Sequence, residues 1–156
     1  MGILANHYGH WTGTNGFRLR PHETFYKAPA SARVAAGAGG HLARVEYTWT
    51  HPEDGDCEGL LVLGRGTGDN ALVAFWADNW HQQPVPLTMA GHVEAGEMWS
   101  LEAKYHHEWA WRIVVETPPD LLRITMDNVV PASEMTESLP RGPYPAMLAE
   151  LRRDES

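Results

Sequence analysis

The residues best suited to chemistry stand together. Asp78, Asn79, Trp80 and His81 close the run Leu72-Val73-Ala74-Phe75-Trp76-Ala77-Asp78-Asn79-Trp80-His81. A carboxylate and an imidazole three positions apart are the parts of an acid–base pair. On a regular strand alternate side chains share a face. Leu72, Ala74, Trp76, Asp78 and Trp80 then lie on one side, and Asn79 and His81 on the other. Asp78 and His81 form a catalytic pair only if the strand bends between them. Among apolar neighbours Asp78 carries a desolvation cost unless it is paired. Arg112, Arg123, His10 or a tryptophan N–H are its candidate partners. It is expected either at a rim, organising a turn, or inside, as a ligand anchor or general base.

Other chemistry is thin. His7 and His10, and the adjacent His106 and His107, match no zinc spacing. Neither a metal nor a cofactor is expected. Cys57 stands alone and reads as packing. Gly37-Ala38-Gly39-Gly40 and the glycines from Gly64 to Gly68 lack the Lys-Ser/Thr or helix that a phosphate loop needs, so both read as turns. No Gly-x-Ser-x-Gly elbow is present.

The elements that must hold these groups are strands. Val45, Tyr47 and Trp49 alternate with Arg44, Glu46 and Thr48. Trp99, Leu101, Ala103 and Tyr105 alternate with Met98, Ser100, Glu102 and Lys104. Trp109, Trp111, Ile113 and Val115 alternate with Ala110, Arg112, Val114 and Glu116. Leu122, Ile124, Met126 and Asn128 mark a further strand over 121–130. Glycines at 9, 13 and 16 suit a curved first strand near Trp11. Pro29 breaks the second strand or puts it at an edge, and Gln82-Gln83-Pro84 reads as a strand end. Ala146 to Arg152 fits a helix or a closing strand equally. Eight to ten strands with short links predict one all-β domain over residues 1–156, a sandwich or a barrel; hairpin-length links favour an antiparallel up-and-down meander, and closing it into a barrel removes exposed edges.

The 156 residues carry a formal charge of -8. That disfavours nucleic acid and anionic lipid surfaces as partners. The first residues lack the pattern of a secretory signal, and no apolar run is long enough to span a bilayer, so a cytoplasmic location is the expectation. The opposite face of the central strand, with Val73 and Phe75, is also apolar. A barrel exterior should be more polar, which makes a homodimer a hypothesis.

His10-Trp11-Thr12-Gly13-Thr14 resembles the opening signature of calycin barrels. With Tyr47-Thr48-Trp49, Gly59, Trp76 to His81, Trp109 to Arg112, Met126 to Pro131 and Tyr144 to Met147, the chain resembles the DUF1579 group of lipocalin-like proteins. The resemblance implies a ten-strand antiparallel barrel with an internal cavity, and Ala146 to Arg152 as the closing strand. Related nitrobindin barrels hold haem through a late histidine. Here the last histidine is His107.

The leading expectation is a barrel that binds a small, largely apolar or aromatic molecule inside its cavity. Trp11, Tyr47, Trp49, Trp76, Trp80, Trp99, Tyr105, Trp111 and Met126 would supply surface, and Asp78 and Asn128 the hydrogen bonds. The alternative is an enzyme on the same barrel, a cyclase, isomerase or hydrolase of an apolar metabolite, with Asp78 and His81 as its acid–base groups. A third reading is a haem-binding barrel.

Overall fold

The computed structural model describes residues 2–95 and 97–155. Among these residues ten strands close into a barrel. They are β1 (Gly9–Phe17), β2 (Tyr26–Gly37), β3 (Leu42–His51), β4 (Gly55–Arg65), β5 (Ala71–Asp78), β6 (Gln82–Glu94), β7 (Met98–His106), β8 (Trp109–Glu116), β9 (Leu121–Val130) and β10 (Gly142–Arg153). Each strand pairs antiparallel with its neighbours in sequence, and β10 returns to pair with β1. This all-β meander is consistent with a calycin-like or lipocalin-like fold. Residues 146–152 lie in the closing strand. No helix among the described residues is long and apolar enough to cross a membrane.

Alternation fixes the inner wall. Ala43, Val45, Tyr47, Trp49 and His51 of β3 are buried, whereas Leu42, Arg44, Glu46 and Thr48 are exposed. The same rule turns Leu72, Ala74, Trp76 and Asp78 of β5 inward and leaves Val73 and Phe75 outside, 44% and 52% exposed. Pro29 sits mid-strand without penalty. β2 pairs with β3 only over 31–37, so at Pro29 it has a neighbour on the β1 side alone, and no ladder donor is demanded there.

The two ends differ. At the lower end, residues before β1 fold back as a plug. Ile3 and Leu4 are buried. His7 stacks on Trp11 at 5.1 Å, and the Trp11 N–H donates to the His7 carbonyl at 2.8 Å. Arg153 lies over the Trp11 ring at 4.5 Å and donates to the carbonyls of Tyr8 and Asn6, both at 2.8 Å. The upper end carries the turns 52–54 and 79–81 and the longer links 18–25 and 131–141. Leu139, in the last of these, packs against the core.

The internal cavity is small. A void of about 10 Å³, lined by Asn15, Tyr47, Trp49, Met126, Met147 and Leu151 among others, has room for one water at most. A larger depression of about 810 Å³ lies on the outer wall over β1–β5, among His10, Arg33, Glu46, Glu58, Leu60 and Asn79.

Candidate ligand site at the barrel mouth

Asp78 ends β5 just below the upper rim and is 2% exposed. Its two oxygens have separate tasks. Oδ1 accepts the backbone N–H groups of Trp80 and His81, each at 2.8 Å. Oδ2 accepts the Tyr47 hydroxyl at 2.6 Å and the Trp49 indole N–H at 3.1 Å. Four donors fill the carboxylate's usual acceptor sites, so it is buried without a cation. The first pair is an Asx-type capture of backbone: it bends the chain out of the strand and ends the ladder. The strand expected to run to His81 therefore stops at Asp78.

Tyr47 completes the arrangement. Its hydroxyl accepts the Trp76 N–H at 2.9 Å while donating to Asp78. Burial first, and then the adjacent negative charge, push its phenol well above the ordinary range, so it stays protonated and remains a donor. To reach Asp78 on β5 from β3, the ring crosses β4 at Gly59. Gly59 is register partner to both Tyr47 and Asp78, and a Cβ there would overlap the phenol. Cys57, on the same inner face of β4, has its thiol pushed up by burial and by the Asp78 charge. It is inert packing.

Above this network lies a cluster of rings. Phe17 touches each of Trp49, His51, Trp80 and His81, and Trp49 and Trp80 each touch both histidines and one another. Trp49 stacks on His81 at 5.1 Å and His51 on Trp80 at 4.6 Å. Trp80 is tethered to Asp54 through its indole N–H at 2.8 Å. His51 Nδ1 accepts the backbone N–H groups of Glu53 and Asp54 at 3.1 and 3.0 Å. That nitrogen holds no proton in this geometry. His81 meets the face of Trp111 edge-on at 5.1 Å. Trp111 touches Trp76 at 5.7 Å and stacks with Tyr105 at 5.5 Å.

Two nitrogens in this cluster are buried without a hydrogen-bond partner: Nε2 of His81 and Nε1 of Trp111. Desolvation lowers the His81 imidazole to about 4, against a smaller opposing effect of Asp78, so at neutral pH it is uncharged. A bare imidazole nitrogen and a bare indole N–H on touching rings call for polar atoms from elsewhere.

The expected residues are placed unequally. Trp49, Trp80, Tyr105 and Trp111 belong to the mouth, with Trp76 directly beneath. Tyr47 is level with Asp78, and its hydroxyl lies 4.0 Å from the Met126 sulfur. Trp11 belongs to the lower plug, and Trp99 lies near the lower end of β7 with its own indole nitrogen unpartnered. Asn128 accepts the Tyr105 hydroxyl at 3.0 Å and donates to the Tyr144 hydroxyl at 3.3 Å, which donates to the Leu19 carbonyl at 2.6 Å. That chain ties the rim across β7, β9 and β10. Asp78 and His81 do come together, but through the His81 backbone N–H. Among the described residues their side chains form no hydrogen bond or ion pair. A haem does not fit an interior with a void of about 10 Å³, and no group of three or more His, Cys, Asp or Glu among the described residues is placed to hold a metal ion.

Phe17, His51, Gly59 and Tyr144 were not among the expected site residues. The alternation that picked Tyr47 and Trp49 extends one step further to His51, and that of Trp11 reaches Phe17. The role of Gly59 depends on a contact across strands that one strand's pattern does not encode. The chain matches no protein-family model and no curated protein.

Proposed function

We propose that this barrel binds a small, largely apolar, ring-containing molecule at its upper mouth, between Trp80, His81, Trp111 and Tyr105. The observation that carries this reading is the pair of buried, unpartnered nitrogens, His81 Nε2 and Trp111 Nε1, within a shell of aromatic rings. A core selected for packing alone avoids such orphans, whereas a ligand site keeps a few polar groups in an apolar lining. Asp78 acts here as a positioning residue: it holds the 78–81 turn that aims His81. Because the void beneath this mouth is only about 10 Å³, the molecule enters by displacing rings at the rim. The order of tryptophan and glycine motifs further supports placing the chain with the DUF1579 lipocalin-like group.

Native mass spectrometry of freshly purified protein tests the reading. A bound mass that leaves on denaturation, and is missing from Trp111→Phe, is the expected result. A bare chain that takes up no apolar compound on incubation would overturn it.

A second reading, an isomerase or cyclase on the same mouth, is favoured by one observation. With Asp78 saturated by four donors, His81 Nε2 is the uncharged base left free to take a proton. Turnover by the wild type that is lost in His81→Gln, with ligand binding retained, would select it.

A further inference from the structure

We infer that the polar end of the molecule held at this mouth is an uncharged hydroxyl, as in a phenol or an alcohol, rather than a carboxylate. The inference rests on the mouth-binding reading.

The first argument is the distribution of charge. Among the described residues, the buried polar side chains are His7, Asn15, His51, Asp78, Ser100 and Thr117, with no lysine or arginine. The two guanidinium groups that lie over rings are engaged elsewhere. Arg18 sits on Phe25, outside the cluster, and donates to the carbonyls of Pro145 and Pro21. Arg153 is clamped at the opposite end on Trp11. With no lysine or arginine among the buried side chains, a carboxylate buried at the mouth would lose water without a buried cation to pair with. It would instead approach the charge of Asp78, which lies beneath Trp49 and the 78–81 turn.

The second argument is hydrogen-bond polarity. The Trp111 indole can only donate. The uncharged His81 ring carries one proton on its two nitrogens, so its Nε2 presents a lone pair when the proton is on Nδ1. A hydroxyl accepts from the first and donates to the second. A carboxylate accepts only: the Trp111 N–H and the Nε2–H tautomer of His81 would both be neutral donors to it, and its charge would stay uncompensated. The rings stacked around these nitrogens favour a flat aromatic body attached to that hydroxyl.

The test is isothermal titration calorimetry of the full chain at neutral pH with a matched pair of probes, 2-naphthol and 2-naphthoate. Saturable binding of the naphthol, at least about tenfold tighter than the naphthoate, is the expected result. Trp111→Phe and His81→Phe should each narrow that ratio, with circular dichroism showing the barrel intact. The comparison on the wild type stands even if a variant does not fold. Equal or tighter binding of the naphthoate would overturn the hydroxyl assignment and leave the mouth as a binding site. Binding of neither probe would overturn both.

Discussion

Tyr47 reaches Asp78 by lying across the bare backbone of Gly59, and the resulting 2.6 Å hydrogen bond joins β3 to β5 over the strand between them. Three strands are thus locked at one level. The phenol needs the glycine for space, and the carboxylate needs the phenol as a donor.

Gly59→Ala should force the Tyr47 ring aside. We expect destabilisation of about 3 kcal/mol, combining overpacking with a lost buried hydrogen bond. Tyr47→Phe should cost about 2 kcal/mol, because Asp78 loses a donor and the Trp76 N–H loses its acceptor. Urea unfolding of both single variants and the double variant checks the coupling. Strict additivity would show that the two residues act independently.

Asp78→Asn replaces two acceptor oxygens by one oxygen and one NH₂ group. Either orientation turns donors toward donors, at the 80–81 backbone or at Tyr47 and Trp49. Loss of about 2–4 kcal/mol is expected, together with altered tryptophan fluorescence as the turn loosens around Trp80. A thermal midpoint equal to wild type would remove the carboxylate from its central place.

Acid should weaken the fold through His81. Its imidazole is lowered to about 4 from an ordinary value of 6.5. Between those values the unfolded chain binds a proton there and the folded chain does not, so stability falls as pH drops from about 6.5 toward 4 and levels off below. Full development amounts to about 3 kcal/mol. Against the wild type, His81→Gln should lose that part of the acid slope. Parallel stability–pH curves for the two proteins would contradict the assignment.

The outer strip of Leu60, Val62, Val73 and Phe75 crosses β4 and β5 without a charge, and Phe75 is half exposed. Self-association through this strip is the proposed outcome, seen as a dimer mass by light scattering at high micromolar concentration. Phe75→Lys should return the mass to that of one chain. A single-chain mass for the wild type removes the proposal.

Much of the architecture was legible because alternation is strict where a strand has one wet face. The ranges of β8 and β9 follow directly from Trp109–Glu116 and Leu121–Val130. Alternation was less informative where side chains or local topology intervene. β5 stops at Asp78 because a carboxylate captures the next backbone donors, which hydropathy does not register. β6 begins at Gln82, where Pro84 suggested an end. It pairs with β7 only from Ala90, and Pro84 and Pro86 fall where the β5 register skips from Leu87 to Gln82, so no ladder donor is missed at either. Among the candidate site residues, inward orientation was readable and spatial grouping was not. Trp11 and Trp111 look alike in sequence, yet they lie at opposite ends of the barrel.

The ladder between β1 and β10, which aligns Trp11 with Arg153 and Phe17 with Met147, has a kinetic consequence. Every other ladder joins consecutive strands and can zip from its own turn. This one must wait for a sheet to curl until its two margins meet, with loop entropy lost in advance. At that margin Gly13 lies so close to the Glu150 carbonyl that no Cβ fits. Gly13→Ala should therefore leave hairpin formation fast while delaying circularisation, exposing two unpaired margins to other molecules for as long as the delay lasts.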